Sequence, residues 1–301
     1  MYSKKILLKT KKNILVTGAS GLIGFSLIEK LSENNFVYAI SRNKLETKNN
    51  NIKNIICDFS ESFSTEKFPE SIDIIYHLAQ SEHFRNFPKK VIDIFNVNTI
   101  STLELLEYAR KSNCKKFIYA SSGGVYGNSQ YGFNEDTILR QNPNIGFYLT
   151  SKFCSELVLD NYTSFFDVVI SRFFFVYGER QNKSMLIPRL IGNIKKELPV
   201  VLNGNNGIII NPIYVLDAVD CLMAMNELKG NHKINVGGKE ILSLRKISNI
   251  IGDLIGVKPV FEIRDDEPLN LIGNIKKMNL LLNEPKFSFR NGVKILLNEK
   301  K

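Results

Sequence analysis

The fold of this chain is decided by the stretch Asn13-Ile-Leu-Val-Thr-Gly-Ala-Ser-Gly-Leu-Ile-Gly24. Its apolar, β-prone first half predicts a strand, and glycines at every third position then predict a tight turn that opens a helix. A strand, a glycine turn and a helix in this order are the context of a dinucleotide-binding fingerprint. Gly18 would make the turn, Gly21 would let a pyrophosphate approach the backbone, and Gly24 would let the helix pack on the strand. The alternative interpretation is a glycine-rich loop without a ligand.

Outward from this stretch, short apolar strands alternate with helical segments. Strands are predicted over residues 36–40, 52–57, 72–78, 117–120 and 168–174, and helices over 89–111 and 148–161. This alternation predicts an α/β fold, a Rossmann-type doubly wound parallel sheet with helices on both faces. We expect an NAD(P)-binding domain over 12–175 with 203–228 returning to it, and a smaller, mostly C-terminal substrate lobe over 176–202 and 229–301.

The composition is that of an ordinary globular protein, with 44% apolar and 23% charged residues in a chain of 301. No apolar run reaches the ~20 residues that span a bilayer, so we predict no membrane partner. The basic lead-in Met1–Lys12 lacks the apolar core of a signal peptide. The net charge of +10 is spread along the chain, which predicts an anionic cofactor or substrate rather than nucleic acid.

The cysteines and histidines form no recognisable metal or disulfide pattern. The cysteines are far apart and none forms a C-x-x-C pair, so we expect neither a disulfide framework nor a zinc site. A reducing cytoplasm fits this spacing. These positions are Cys57, Cys114, Cys154, Cys221, His77, His83 and His232.

Residues that follow the second strand bear on the choice of cofactor. Proteins that select NAD usually place an acidic side chain there, whereas an arginine accommodates the 2′-phosphate of NADP. This chain has Ser41-Arg42-Asn43, which favours NADP over NAD. The alternative is that Arg42 is a solvated loop residue.

Three residues form a candidate catalytic set: Ser122, Tyr148 and Lys152. Tyr148 and Lys152 are one helical turn apart and share a face. The lysine ammonium, with a nicotinamide cation close by, would lower the pKa of the tyrosine, which is about 10 in an unperturbed side chain. Tyr148 could then take a proton from a substrate hydroxyl while hydride leaves its carbon, and Ser122 would donate to the same oxygen.

These motifs together resemble the extended short-chain dehydrogenase/reductase family, and more narrowly its NAD-dependent epimerase/dehydratase group, which acts on nucleotide sugars. The motifs are Thr17-Gly-Ala-Ser-Gly-Leu-Ile-Gly24, Asp58, His77-Leu-Ala79, Asn98, Ser121-Ser122, Tyr126-Gly127, Tyr148 with Lys152, Arg172, Val176-Tyr-Gly178, Pro188, Pro212-Ile-Tyr-Val215, Asp217 and the tail Leu281–Gly292. The likeness covers nearly the whole chain. It implies a nucleotide-sugar substrate and a homodimer formed through helices on the outer face of the sheet.

The fingerprint, the strand ends and the resemblance together predict the site residues. The catalytic residues would be Ser122, Tyr148 and Lys152, and the substrate would contact Ser122, Phe175 and Arg189. NAD or NADP would be bound by Gly18, Ser20, Gly21, Leu22, Ile23, Gly24, Arg42, Asp58, Phe59, Leu78, Ala79, Gln80, Asn98, Tyr148 and Lys152.

The chain departs from the family pattern in three ways, of which one concerns the reaction and two concern the substrate. The family's 4,6-dehydratases carry an Asp-Glu pair where this chain has Gly123-Gly124, so a dehydratase is not expected. Relatives that bind nucleotide sugars commonly have asparagine at the position of Phe175 and arginine at that of Ile210. A phosphate clamp would then have to come from Arg180, Lys183 or Arg189.

Three functions follow from these residues. The first is an NAD(P)-dependent sugar-nucleotide epimerase acting at C4, which oxidises the carbon and returns hydride to the other face. The alternative, which Arg42 favours, is an NADPH-dependent reductase of a keto sugar or another carbonyl compound. The third is a non-catalytic dinucleotide-binding protein, against which the intact Ser122, Tyr148 and Lys152 set argues.

Overall fold

The computed structural model describes residues 11–128, 131–139 and 145–298. Its strands are β1 (Asn13–Thr17), β2 (Phe36–Ser41), β3 (Ile52–Ile56), β4 (Ile74–His77), β5 (Lys116–Ser122), β6 (Asp167–Phe173), β7 (Val176–Tyr177), β8 (Val200–Asn203), β9 (Ile209–Ile210), β10 (Ile213–Tyr214), β11 (His232–Val236), β12 (Leu242–Ser243) and β13 (Phe261–Arg264). Most of the lead-in expected over Met1–Lys12 lies outside the described residues.

The α-helices are α1 (Leu22–Ser32), α2 (Val91–Phe95), α3 (Ser101–Lys111), α4 (Phe147–Asp160), α5 (Leu186–Lys195), α6 (Val215–Ala224), α7 (Leu244–Ile255), α8 (Lys276–Leu281) and α9 (Phe289–Asn298). A π-helical turn, Asn96–Ile100, joins α2 to α3, so the helix predicted over 89–111 is interrupted. None of the described helices is long and apolar enough to span a bilayer.

Seven parallel strands form the main sheet in the order β11-β6-β5-β4-β1-β2-β3. The order reverses between β1 and β4, which is the switch point where doubly wound sheets bind their ligands. The predicted fold class is therefore confirmed.

Both faces of the sheet are buried, which explains why its strands are almost continuously apolar. On one face α1 and α6 pack on the sheet, and this core continues into α5 and α7. On the other face α3 and α4 contribute side chains such as Leu105 and Leu159. Lys30 of α1 and Asp220 of α6 form an ion pair of 2.7 Å across the first layer.

The smaller lobe contains short strand pairs and helices from the second half of the chain. Strand β8 pairs in parallel with β13, and β9 pairs with β12. Strand β11, which we expected in the smaller lobe as part of 229–301, is instead the outermost strand of the main sheet. The division into two lobes stays a prediction, with this one strand assigned to the sheet.

Candidate functional site

The glycine turn after β1 is closed by contacts that leave no room for side chains. Gly18 has φ 66°, and a Cβ atom there would lie 2.8 Å from the backbone nitrogen of Ala79. A Cβ atom at Gly24 would lie 2.1 Å from the carbonyl oxygen of Gly18. Two glycines are thus required by the close approach of α1 and the end of β4 to the turn.

Behind the turn, His77 is a buried polar support. Its Nδ1 atom lies 2.7 Å from Oγ1 of Thr17, and its Nε2 atom lies 3.0 Å from Oγ1 of Thr102. Burial lowers the pKa of His77 to about 3, so the imidazole is neutral. The backbone N–H of Ala79 donates to the same Thr17 hydroxyl. His77 therefore ties β1, β4 and α3 together and takes no part in a metal site; none with three His, Cys, Asp or Glu ligands occurs among the described residues.

A cleft of about 190 Å³ opens beside the glycine turn, across the switch point of the sheet. The predicted cofactor residues that line it are Gly18, Ser20, Gly21, Arg42, Asp58, Phe59, Leu78, Ala79 and Gln80. Leu22, Ile23 and Gly24 form the first turn of α1 next to it. Sequence reasoning missed other residues that line the cleft: Ile40, Cys57, Ser60, Ser81, Glu82, Asp93 and Val97. Ser41, which the sequence analysis quoted only for its lack of an acid, lines it as well.

At the outer end of this cleft Arg42 is paired with a carboxylate. Its Nη1 and Nη2 atoms donate to Oε1 and Oε2 of Glu82 at 2.8 and 3.0 Å. The Arg42 guanidinium lowers the pKa of Glu82. Arg42 is therefore a half-exposed residue that is paired with Glu82, and the preference for NADP that the sequence favoured stays a prediction.

Asn98, on the π-helical turn, is fully buried and joins two parts of the site. Its Oδ1 atom accepts from the backbone N–H of Ser81, at 3.0 Å, and its Nδ2 atom donates to Oγ of Ser151, at 2.9 Å. The amide thus connects the loop after β4 with α4. The cofactor role of Asn98 stays a prediction, and the structure shows it as a link between elements of the cleft.

Tyr148 and Ser122 lie next to each other at the inner side of the site. The Tyr148 hydroxyl donates to Oε1 of Gln80 at 3.1 Å. Burial raises the pKa of Tyr148, and a hydrogen bond with Ser122 partly offsets this effect. Ser122, at the end of β5, also accepts from the backbone N–H of Gly124. The structure therefore brings these two predicted catalytic side chains together and adds Gln80 as a partner.

Lys152 is directed away from the solvent and towards the end of β5. Its Nζ atom donates to the carbonyl oxygen of Ala120 at 2.9 Å and lies 4.9 Å from the ring centroid of Tyr119. Burial lowers the pKa of Lys152 to about 7, although Glu156 acts in the opposite direction. We expected Lys152 to lower the pKa of Tyr148; here that pKa is raised, because burial disfavours the charged form of both groups.

An ion pair that sequence reasoning did not single out lies one turn beyond Lys152. Glu156 accepts from Nη2 and Nε of Arg172, at 2.6 and 3.1 Å, and from the hydroxyl of Ser121, at 2.5 Å. Nη1 of Arg172 donates to the hydroxyl of Tyr126 at 2.7 Å. The four-residue spacing of Tyr148, Lys152 and Glu156 was the signal that would have indicated a shared helix face.

Phe175 and Arg189, which we expected to contact the substrate, are not among the residues that line the cleft. Phe175 is half-buried with φ 48°, an uncommon conformation for a bulky residue. Arg189 is exposed on α5, and Arg180 stacks over the ring of Phe25 at 3.8 Å. Ile210 is fully buried in the core. The substrate roles of Phe175 and Arg189 stay predictions.

A loop from the first half of the chain also reaches the mouth of the site. The ring of Phe84 lies 5.4 Å from that of Tyr148. Nη1 of the next residue, Arg85, donates to the carbonyl oxygen of Ser184 at 3.4 Å. The loop after β4 therefore contacts both Tyr148 and the segment that precedes α5.

Comparison with known proteins gives matches over nearly the full length. Residues 14–237 match the model of the NAD dependent epimerase/dehydratase family. An uncharacterized UDP-glucose epimerase of Bacillus subtilis is 30% identical over 304 residues, which cover 93% of this chain and 95% of that protein. The UDP-glucuronate 4-epimerase of Thermodesulfobacterium geofontis is 28% identical over 308 residues, covering 94% of each.

Solved structures of similar proteins also match this chain over nearly its full length. The UDP-glucuronic acid 4-epimerase from Bacillus cereus, in complex with UDP-glucuronic acid and NAD, superposes with a TM-score of 0.84 at 27% identity. The match covers 95% of this chain and 98% of that one. The UDP-glucose 4-epimerase of Thermotoga maritima, with UDP-glucose, superposes with a TM-score of 0.82 at 25% identity, covering 95% and 97%.

Proposed function

Since the chain belongs to the NAD-dependent epimerase/dehydratase family, we propose that it is a sugar-nucleotide 4-epimerase. The observation that carries this proposal is the meeting of Ser122 and Tyr148 beside the cleft of the glycine turn, with Lys152 one helical turn away. The substrate we propose is a uridine diphosphate sugar, the class bound by the similar solved structures.

The residues present fit a nicotinamide dinucleotide. Helix α1 begins at Leu22 without a side-chain cap, so its first backbone N–H groups are free to bind phosphate oxygens. A Cβ atom at Gly21 would approach the carbonyl oxygen of Gly18 to 3.1 Å, which shows how close the backbone lies here. When bound, NAD(P) would supply the acceptor and donor of hydride.

The protein's own residues would handle the proton and the substrate oxygen. As the phenolate, Tyr148 would take the proton of the sugar hydroxyl and, as the phenol, return it later, while Ser122 donates a hydrogen bond to the same oxygen. The hydroxyl of Tyr148 donates to Oε1 of Gln80, and this hydrogen bond helps to hold the ring in place. Burial lowers the pKa of Lys152 to about 7, so near neutral pH its cationic form is less populated than that of an ordinary lysine.

The arrangement disfavours the dehydratase reaction of other family members. A human dTDP-D-glucose 4,6-dehydratase is 27% identical over 314 residues, covering 94% of this chain and 88% of that protein. Dehydration needs an acid to expel a hydroxyl group, and this chain has glycines at the corresponding positions. A Cβ atom at Gly123 would lie 2.5 Å from the buried ring of Phe174, so a side chain would not fit there.

For the assembly we propose a homodimer, because apolar side chains remain exposed on the helices of one outer face. Leu103 on α3, Leu157 on α4 and Phe165 just after α4 are 41%, 51% and 58% exposed. Such a patch marks an interaction surface. Because this patch lies on two neighbouring helices, a second copy of the chain could pack the same helices against it.

The four free cysteines fit a reducing cytoplasm.

The experiment that tests the function supplies UDP-glucose and NAD and follows the sugar by chromatography. We expect UDP-galactose to form without net reduction of the cofactor. Stoichiometric oxidation of NADPH with a keto sugar, and no epimer, would instead establish the reductase. Cofactor binding without turnover of any UDP-sugar would support the non-catalytic alternative.

A further inference from the structure

We propose that Glu82 makes this cleft select NAD over NADP, by pairing with Arg42 and leaving negative charge where a 2′-phosphate would bind. The proposal rests on the proposed function only in one respect, that the cleft holds a nicotinamide dinucleotide. It reverses the preference for NADP that Arg42 alone would indicate.

The two residues reach the same place from different strands. Arg42 follows β2, the position at which dinucleotide-binding folds discriminate between a ribose hydroxyl and a phosphate. Glu82 follows β4, on the far side of β1 in the sheet. Both line the cleft that also contains Gly18 and Gly21 of the glycine turn. Glu82 thus brings a carboxylate to the ribose end from a neighbouring strand.

The geometry of the pair engages the guanidinium fully on one side. Two parallel N–H···O bonds of 2.8 and 3.0 Å form the bidentate arrangement that also suits a phosphate. A 2′-phosphate would therefore have to displace the Glu82 carboxylate from Arg42. Both side chains are more than half exposed, at 54% and 56%, so the pair itself adds little to stability and its effect is on ligand choice.

The surrounding charge acts in the same direction. Asp58 and Asp93 also line this cleft, and their charges act on Arg42. Three carboxylates therefore accompany one guanidinium, and a 2′-phosphate would add about −1.5 to −2 charges at neutral pH. The negative charges of these carboxylates would therefore repel the 2′-phosphate. The 2′-hydroxyl of NAD, by contrast, is neutral and can donate a hydrogen bond to a carboxylate.

The residues at the end of β2, Ser41-Arg42-Asn43, include no acid for this task. Ser41 donates through its hydroxyl to the carbonyl oxygen of Asn43 at 2.6 Å. The side chain that usually marks an NAD site is absent from this position, and Glu82 is the acidic group that contacts Arg42 there.

The test measures dissociation constants of NADH and NADPH directly, by fluorescence, without a sugar substrate. Nε2 of His83 lies 3.8 Å from Oε1 of Glu82, so all variants would be compared at one and the same pH. We expect the wild-type protein to bind NADH at least about tenfold tighter, and Glu82→Gln to shift the ratio of the two constants about tenfold or more towards NADPH.

Two further variants give the controls. Glu262→Gln removes the same charge from another exposed pair, with Arg264, and should leave the ratio unchanged. In Arg42→Ala/Glu82→Gln the gain in NADPH affinity should disappear, because Arg42 would supply the phosphate contact. A wild-type preference for NADPH, an unchanged ratio in Glu82→Gln, or an equal shift in Glu262→Gln would overturn the proposal. Since no sugar is used, a failed epimerase assay does not affect this result; binding of neither dinucleotide would overturn both proposals.

Discussion

Glu156 on α4 and Arg172 on β6 form an ion pair that is almost completely buried, with Nη2 of Arg172 2.6 Å from Oε2 of Glu156. The pair joins α4 to β6, and Glu156 is one turn beyond Lys152. Because the hydroxyl of Ser121 also donates to Glu156, three elements meet at this carboxylate. The position of Lys152 therefore depends on a contact that lies outside the cleft.

Glu156→Gln should reduce the free energy of unfolding by about 3–5 kcal/mol, because it leaves the Arg172 charge buried without its partner. Urea denaturation would measure this loss. The matched control is Glu262→Gln, whose exposed pair should contribute about 0–1 kcal/mol. Equal losses in the two variants would contradict our view of the buried pair.

The stability of the cofactor-free protein should depend on pH through Lys152. Its pKa is about 7 when folded and about 10.4 in an unfolded chain, so between these values the unfolded state binds more protons. The contribution of Lys152 therefore becomes more favourable as pH rises from about 7 to about 10, and is least favourable below about 7. In Lys152→Met this dependence should vanish, and the free energy of unfolding should rise less steeply with pH than in the wild type. If the free energy of unfolding depended on pH in the same way in Lys152→Met and in the wild type, Lys152 would not be desolvated in the folded protein.

Tyr148→Phe should bind the cofactor and lose turnover by about 10²- to 10⁴-fold, because the hydroxyl that moves the proton is gone. Tyr162→Phe is a matched control, since the hydroxyl of Tyr162 donates to Glu107 on another part of the surface. Its turnover should stay near that of the wild type. Full activity in Tyr148→Phe would refute the proposed proton transfer.

Gly24→Ala should destabilise the protein by about 1–3 kcal/mol and weaken cofactor binding, since its Cβ atom would meet backbone that cannot move aside. Gly192→Ala, in the middle of α5, has no atom within 4 Å of the added Cβ. It should stabilise the protein by about 0.5–1 kcal/mol. Thermal denaturation of both variants checks this opposite pair of signs.

Leu157→Glu should convert the proposed dimer to a monomer, because it places a charge in the exposed apolar patch of α3 and α4. Sedimentation velocity would measure the change in mass. Leu280→Glu changes an even more exposed leucine, on α8, and should leave the assembly intact. A monomeric wild-type protein would show that the patch has another use.

What could be predicted from the sequence was mostly local. The glycine turn and the strand ends are contiguous patterns, and the fold class that they predicted is confirmed. The pairing of Arg42 with Glu82 was not predictable, because the two are separated by two strands and no periodicity links them. Strand β11 was assigned to the smaller lobe instead of the main sheet. Its five residues, HKINV, stand outside the regular alternation of strands and helices.

The pairing of β11 with β6 limits where the chain can be divided into fragments. It pairs with β6 along its full length, yet residues 174–231 lie between them. A fragment that ended at residue 175 would leave β6 with a row of unpaired backbone N–H and C=O groups, an edge that other chains can join. The dinucleotide-binding half would therefore aggregate if excised. During synthesis the same edge stays open until residues 232–236 have emerged, so β6 depends on a strand from the last third of the chain to protect its edge.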